Sequence, residues 1–188
     1  MMTNRSYLGV LLATLTLLAA SIPALAQDSD RMVDRIAKEV RRELVMLPFY
    51  NVFDNFTYKV SSDGEVTLMG QVTRPTLKTD SERVVKKIEG VTNVVNEVEV
   101  LPLSPMDDQI RLATFRAIYG HSALRPLAIR AVPPIHIIVN NGNVTLEGVV
   151  NRKIEKQIAE MQARQVPNVF QVTNNLRVEQ EESKSADS

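Results

Sequence analysis

Few side chains in this sequence are equipped for chemistry. His121 and His136 are its only imidazoles, and cysteine is absent. A metal centre needs several nitrogen, sulfur or carboxylate ligands at close spacing, and acid–base catalysis needs a well-placed titrating group. His121 follows "AIYG" at a helix end, and His136 lies inside the apolar run "PIHIIV". Neither has a second histidine or an acid at ligand spacing, so both are expected to be structural. Asp28, Asp30, Asp107 and Asp108 stand just ahead of helical stretches, where acids cap free amides and complement the helix dipole. Gly64 and Gly142 are turn residues with no helix directly behind them, which argues against a phosphate-cradling loop. The sequence therefore predicts no catalytic residue, no metal, no cofactor and no small-molecule substrate. Any activity has to lie in binding.

The elements that would carry a binding surface are built twice. "SDGEVTLMGQV" (Ser62 to Val72) returns as "NNGNVTLEGVV" (Asn140 to Val150), with Gly64 and Gly142, and Gly70 and Gly148, each 78 positions apart. Internal repeats decide the reading of a whole chain. Sliding the sequence by 78 extends the match without a gap, setting Pro48 on Pro126, Arg74 on Arg152, Lys78 on Lys156 and Glu82 on Glu160, and His136 on Tyr58. It also sets "GVTNVVNEVEV" on "NVFQVTNNLRV". Two modules follow, residues 30–101 and 107–179, joined by a short Pro-containing linker at 102–106.

Each module has one local grammar. In "DRMVDRIAKEVRREL", Met32, Val33, Ile36, Val40 and Leu44 fall on one helical stripe. "FTYKVSSDGEVTLMGQV" reads as two strands about a glycine turn, with Asp-Gly in the first module and Asn-Gly in the second suited to positive φ. Leu77, Ser81, Val84, Val85 and Ile88 form a second helical face, with Pro75 tolerated near its start. "VVNEVEV" alternates as a third strand. The expected fold is α+β, helix–strand–strand–helix–strand, with a three-stranded mixed sheet and both helices on one face. Gly70 and Gly148 are structural glycines, expected where a Cβ would obstruct a turn or a close helix–sheet approach. "LPFYNVF" (Leu47 to Phe53) is unusually aromatic for a connection and is expected to cap the core, with an exposed hydrophobic loop as the alternative.

The ends carry different information. Residues 1–26 have one basic residue, Arg5, then an apolar run from about Leu8 to Ala20, Pro23 and "ALA" before Gln27. That is the build of a secretory signal cleaved after Ala26, and it points to the periplasm. The apolar run is short beside the roughly 20 residues of a bilayer span. Removing this leader, which holds no acid, leaves 21 basic against 22 acidic side chains. Near-neutral charge argues against nucleic acid as a partner. Residues 180–188, polar and charged, are expected to be disordered.

The paired pattern "DGEVTLMGQV…GVTNVVNEVEV" and "NGNVTLEGVV…NVFQVTNNLRV" resembles the BON domain of bacterial osmotically inducible and nodulation proteins. A leader followed by two such modules is similar to the periplasmic proteins typified by osmotically inducible protein Y. The resemblance implies a binding module without catalysis, attached to phospholipid membrane surfaces and supporting the envelope under osmotic stress. One departure is Asn168 where the first module has Gly90; Asn tolerates the left-handed region.

The modules differ on their helices. Asp34, Ala37 and Arg41 correspond to Leu112, Phe115 and Tyr119; Thr76, Asp80 and Arg83 correspond to Ile154, Ile158 and Met161. Module 2 therefore carries extra apolar residues, bordered by Arg111, Arg116, Lys153 and Lys156. Three fates fit this face: docking against module 1, contact with a phospholipid surface, or capture of an envelope protein by a chaperone or adaptor.

Overall fold

A computed structural model describes residues 23–179 of the chain. Residues 1–22 of the expected leader and the expected tail at 180–188 lie outside the described residues.

Module 1 runs α1 (Pro23–Val45), β1 (Asn55–Val60), β2 (Glu65–Val72), α2 (Pro75–Val85), β3 (Asn93–Asn96) and β4 (Glu99–Val100). Module 2 runs α3 (Pro105–Gly120), a 3-10 turn (Arg125–Ile129), β5 (Ile135–Asn140), β6 (Asn143–Val150), α4 (Lys153–Arg164), β7 (Gln171–Asn174) and β8 (Arg177–Val178). In each module the return strand of the hairpin is central: β2 is antiparallel to β1 and parallel to β3 and β4. The same holds for β6 with β5, β7 and β8. The third strand is interrupted once, by an asparagine clasp. Asn96 Nδ2 donates to Lys78 O at 2.9 Å while its Oδ1 accepts from Val98 N; Asn174 repeats this with Lys156 O at 3.0 Å and Leu176 N. This ties the third strand to the second helix.

Two apolar cores result. One gathers Ile36, Val40, Leu44, Leu68, Leu77 and Val85 under α1 and α2. The other gathers Ile110, Ile118, Ile135, Ile137, Leu146 and Ala159 under α3 and α4. Helix α3 starts at Pro105, inside the stretch read as linker, because Ser104 caps it by accepting from Asp107 N at 3.2 Å.

The repeat is not free of gaps. Val60 pairs with Val66 across the first hairpin, but Val139 pairs with Val144 across the second, one residue closer. Module 2 turns on two residues, Asn141 (φ 50°) and Gly142 (φ 76°); in module 1, Ser61 N donates to Glu65 O across Ser62–Asp63–Gly64, where only Gly64 has positive φ. A two-residue turn of the I′ type needs both central residues left-handed; a three-residue one needs only the last. Tyr58 faces Leu68, and Ile137 faces Leu146, so the counterpart of Tyr58 is Ile137 and not His136. A slip of one residue exchanges the faces of a strand. It turns His136 away from the core that Ile135 and Ile137 enter.

Gly70 and Gly148 close up against the neighbouring strand, not a helix. A Cβ at Gly70 would lie 2.1 Å from Asn55 O, and one at Gly148 2.0 Å from Pro134 O, with φ of +113° and +118°. Asn168 adopts φ 65° where Gly90 has φ 89°, as its tolerance of that region allows.

Candidate functional surface

The polar groups that looked available for chemistry are spent on structure. Among the described residues, no group of three or more histidine and carboxylate side chains could hold a metal ion. Asp107 is buried, and its carboxylate accepts from Asn141 N and Gly142 N, both at 2.9 Å. It clamps the tight hairpin turn instead of capping its own helix, while Asp108 pairs with Arg111 at 2.5 Å. Asp54, fully buried, accepts from Thr73 N at 2.6 Å and Asn51 N at 3.1 Å. Glu155 accepts from Asn151 N and Arg152 N. His121 Nδ1 accepts from Ala123 N just past α3.

His136 has a role that spacing did not suggest. Its Nδ1 lies 2.6 Å from Asp54 O, and its ring centroid is 5.8 Å from that of Tyr50. Ile137 N donates to Val52 O at 2.8 Å. Val52 is buried within the core of module 2, and Phe53 meets the Phe115 ring edge-on at 6.2 Å. The segment Tyr50–Asp54 thus covers the open edge of β5, and "LPFYNVF" caps the core of the other module as well as its own, through Leu47. Burial holds the His136 imidazole below its usual pKa, against the pull of the Asp54 carbonyl and carboxylate. Burial likewise pushes the Tyr50 phenol up to about 12.

From the candidate surface on α3, the structure withdraws one apolar residue and one bordering cation. Tyr119 is buried, with its hydroxyl donating to Ile135 O at 2.8 Å and accepting from Ile135 N at 2.9 Å. Its phenol satisfies an edge-strand backbone that would otherwise be buried unpaired. Arg111 is buried too, donating to Val139 O at 2.8 Å, so it borders no outer surface. Phe115 is half-buried between Phe53 and Tyr119.

What remains outside is Leu112, Ile154 and Met161, 47%, 50% and 47% exposed, with Ile158 half-buried beside the core. Helices α3 and α4, which carry them, pack on each other. Arg116 and Lys153 are exposed nearby in sequence, and Lys156 is half-buried. Phe49 (65%) is exposed within "LPFYNVF", the alternative to core capping for that stretch, while Met46 (75%) beside it and Phe170 (81%) in module 2 are exposed residues that sequence reasoning missed. A signal for the first was Pro48–Phe49, a turn-forming proline before an aromatic where glycine is usual.

Among the described residues, no helix is long and apolar enough to cross a membrane. The chain is similar to two solved structures of CdsD, a structural protein of the type III secretion system of Chlamydia trachomatis. One, its C-terminal domain, is 14% identical over 75% of this chain and 96% of that one, with a TM-score of 0.27. The other is 14% identical over 81% and 97%, with a TM-score of 0.29. No curated protein matches the chain. The BON domain profile matches residues 33–102 and again 124–180, the two segments that carry the repeated hairpin, second helix and third strand. The chain belongs to the BON domain family, with two copies of the domain in tandem.

Proposed function

We propose that this is an exported, non-catalytic protein of the bacterial periplasm that binds anionic phospholipid surfaces and supports the envelope under osmotic stress. The observation that carries the reading is the exposure of Leu112, Ile154 and Met161 on the packed pair α3 and α4. Large apolar side chains held outward on helices, with Arg116 and Lys153 exposed on the same helices, suit the boundary between headgroups and acyl chains. Module 1 is polar at the matching places, Asp34, Thr76 and Arg83, which favours module 2 for the task.

Sedimentation of the leader-free protein with vesicles of anionic or neutral phospholipid tests this. Co-sedimentation with anionic vesicles, weakened by salt, is expected. A folded protein that stays in the supernatant with both, yet suppresses aggregation of an unfolded client, would replace it with the chaperone reading.

A further inference from the structure

A second exposed apolar group lies at the far end of α1. Leu47 to Tyr50 form a turn closed by Tyr50 N donating to Leu47 O at 3.2 Å, with Pro48 and Phe49 at its centre. Phe49 has φ 70°. That is the third position of a type II turn, which favours glycine because a Cβ is strained there. A bulky aromatic in this position works against the fold. Nor does core burial offset the strain, since the ring is 65% exposed. Strain of this kind persists where the surroundings enforce it, and it gathers at sites of function.

The surroundings are specific. Val45, the last residue of α1, and Met46 just beyond it are 43% and 75% exposed. The Arg74 guanidinium lies over the Phe49 ring, 4.7 Å from its centroid. Arg41 and Arg42 are exposed one helical turn before Val45 and Met46. Glu43 pairs with Arg42 at 3.2 Å. We propose that Val45, Met46 and Phe49 form a tip that enters an anionic bilayer, with Arg74 and Arg42 on headgroup phosphates.

The proposal rests on the reading of lipid as the ligand and adds a site in module 1. Charge favours that occupant: the Arg74 guanidinium stands over the Phe49 ring, and Arg41 and Arg42 are exposed on the turn of α1 that precedes the tip. Side chains projecting from a turn, with cations beside them, suit insertion into a fluid layer.

The chain has no tryptophan, so Phe49→Trp supplies a single reporter. In vesicles of anionic phospholipid carrying brominated acyl chains, its fluorescence is expected to be quenched. Phe49→Gly, which relieves the strained turn, is expected to fold with an unchanged or raised Tm and to bind these vesicles about tenfold more weakly. Vesicle-bound Phe49→Trp protein whose fluorescence stays unquenched overturns the tip while leaving the face of module 2 in place. Quenching that persists when Leu112→Asp binds normally overturns the module 2 reading and keeps the tip. No binding at all removes both.

Discussion

The two hairpins, copies of one motif, show how little sequence change separates a buried strand edge from an open one. In module 1, three residues turn the chain, and β1 sends Tyr58 inward so that its hydroxyl donates to Ala37 O at 2.9 Å on α1. In module 2, two residues turn it, and the shortened register puts His136 outward against Tyr50 and Asp54. Ile137, which stands where Tyr58 does in module 1, donates its N–H to Val52 O of the other module. Loss of one turn residue thus accompanies a contact that joins two otherwise self-contained cores. Divergence between repeats is informative because the fold is held constant while the surface changes.

The comparison is broken most severely at the glycines both modules share. Gly148→Ala places a Cβ against Pro134 O in a strained conformation, so denaturant unfolding should show a loss of about 3–5 kcal/mol. Next is Asp107→Ala. It leaves the two amides of the tight turn without their carboxylate and should cost about 2–3 kcal/mol. Val52→Ala sharpens the contrast between modules. The residue belongs to module 1 by sequence and to the core of module 2 by packing, so its loss of about 2 kcal/mol should fall on the unfolding of module 2.

The smallest effect is a pH dependence. The groups facing His136 are Tyr50 and Asp54 from module 1 and Glu147 across the hairpin. Its folded-state pKa lies below the ordinary 6.5. The contact therefore contributes fully above that value and is lost as pH falls through the lower, folded-state pKa. Thermal midpoints measured between about pH 7 and pH 5 should fall more in the native chain than in His136→Gln.

Much of the fold was legible because its determinants are local. Alternating valines, glycine at a turn and helical stripes such as Ile36, Val40 and Leu44 each act within a few residues. The one-residue slip was not, because Asp63-Gly64 and Asn141-Gly142 read alike although the turns that contain them differ in length. Nor could periodicity say which core an apolar residue enters, and Val52 crosses to the other module. The surface was legible in part. Leu112, Ile154 and Met161 are exposed where the contrast with module 1 placed them, but Tyr119 and Arg111 are buried. Their polar ends reach strand carbonyls, at Ile135 and Val139, that no helical stripe reveals.

The central claim is that module 2 gained a binding face where module 1 stayed polar, and a graft tests it most directly. Leu112→Asp with Met161→Arg gives module 2 the residues that module 1 carries at those places. Titrated with anionic vesicles, this variant should fold with the native Tm and bind at least tenfold more weakly than the native chain. Undiminished binding by the folded variant would contradict the account.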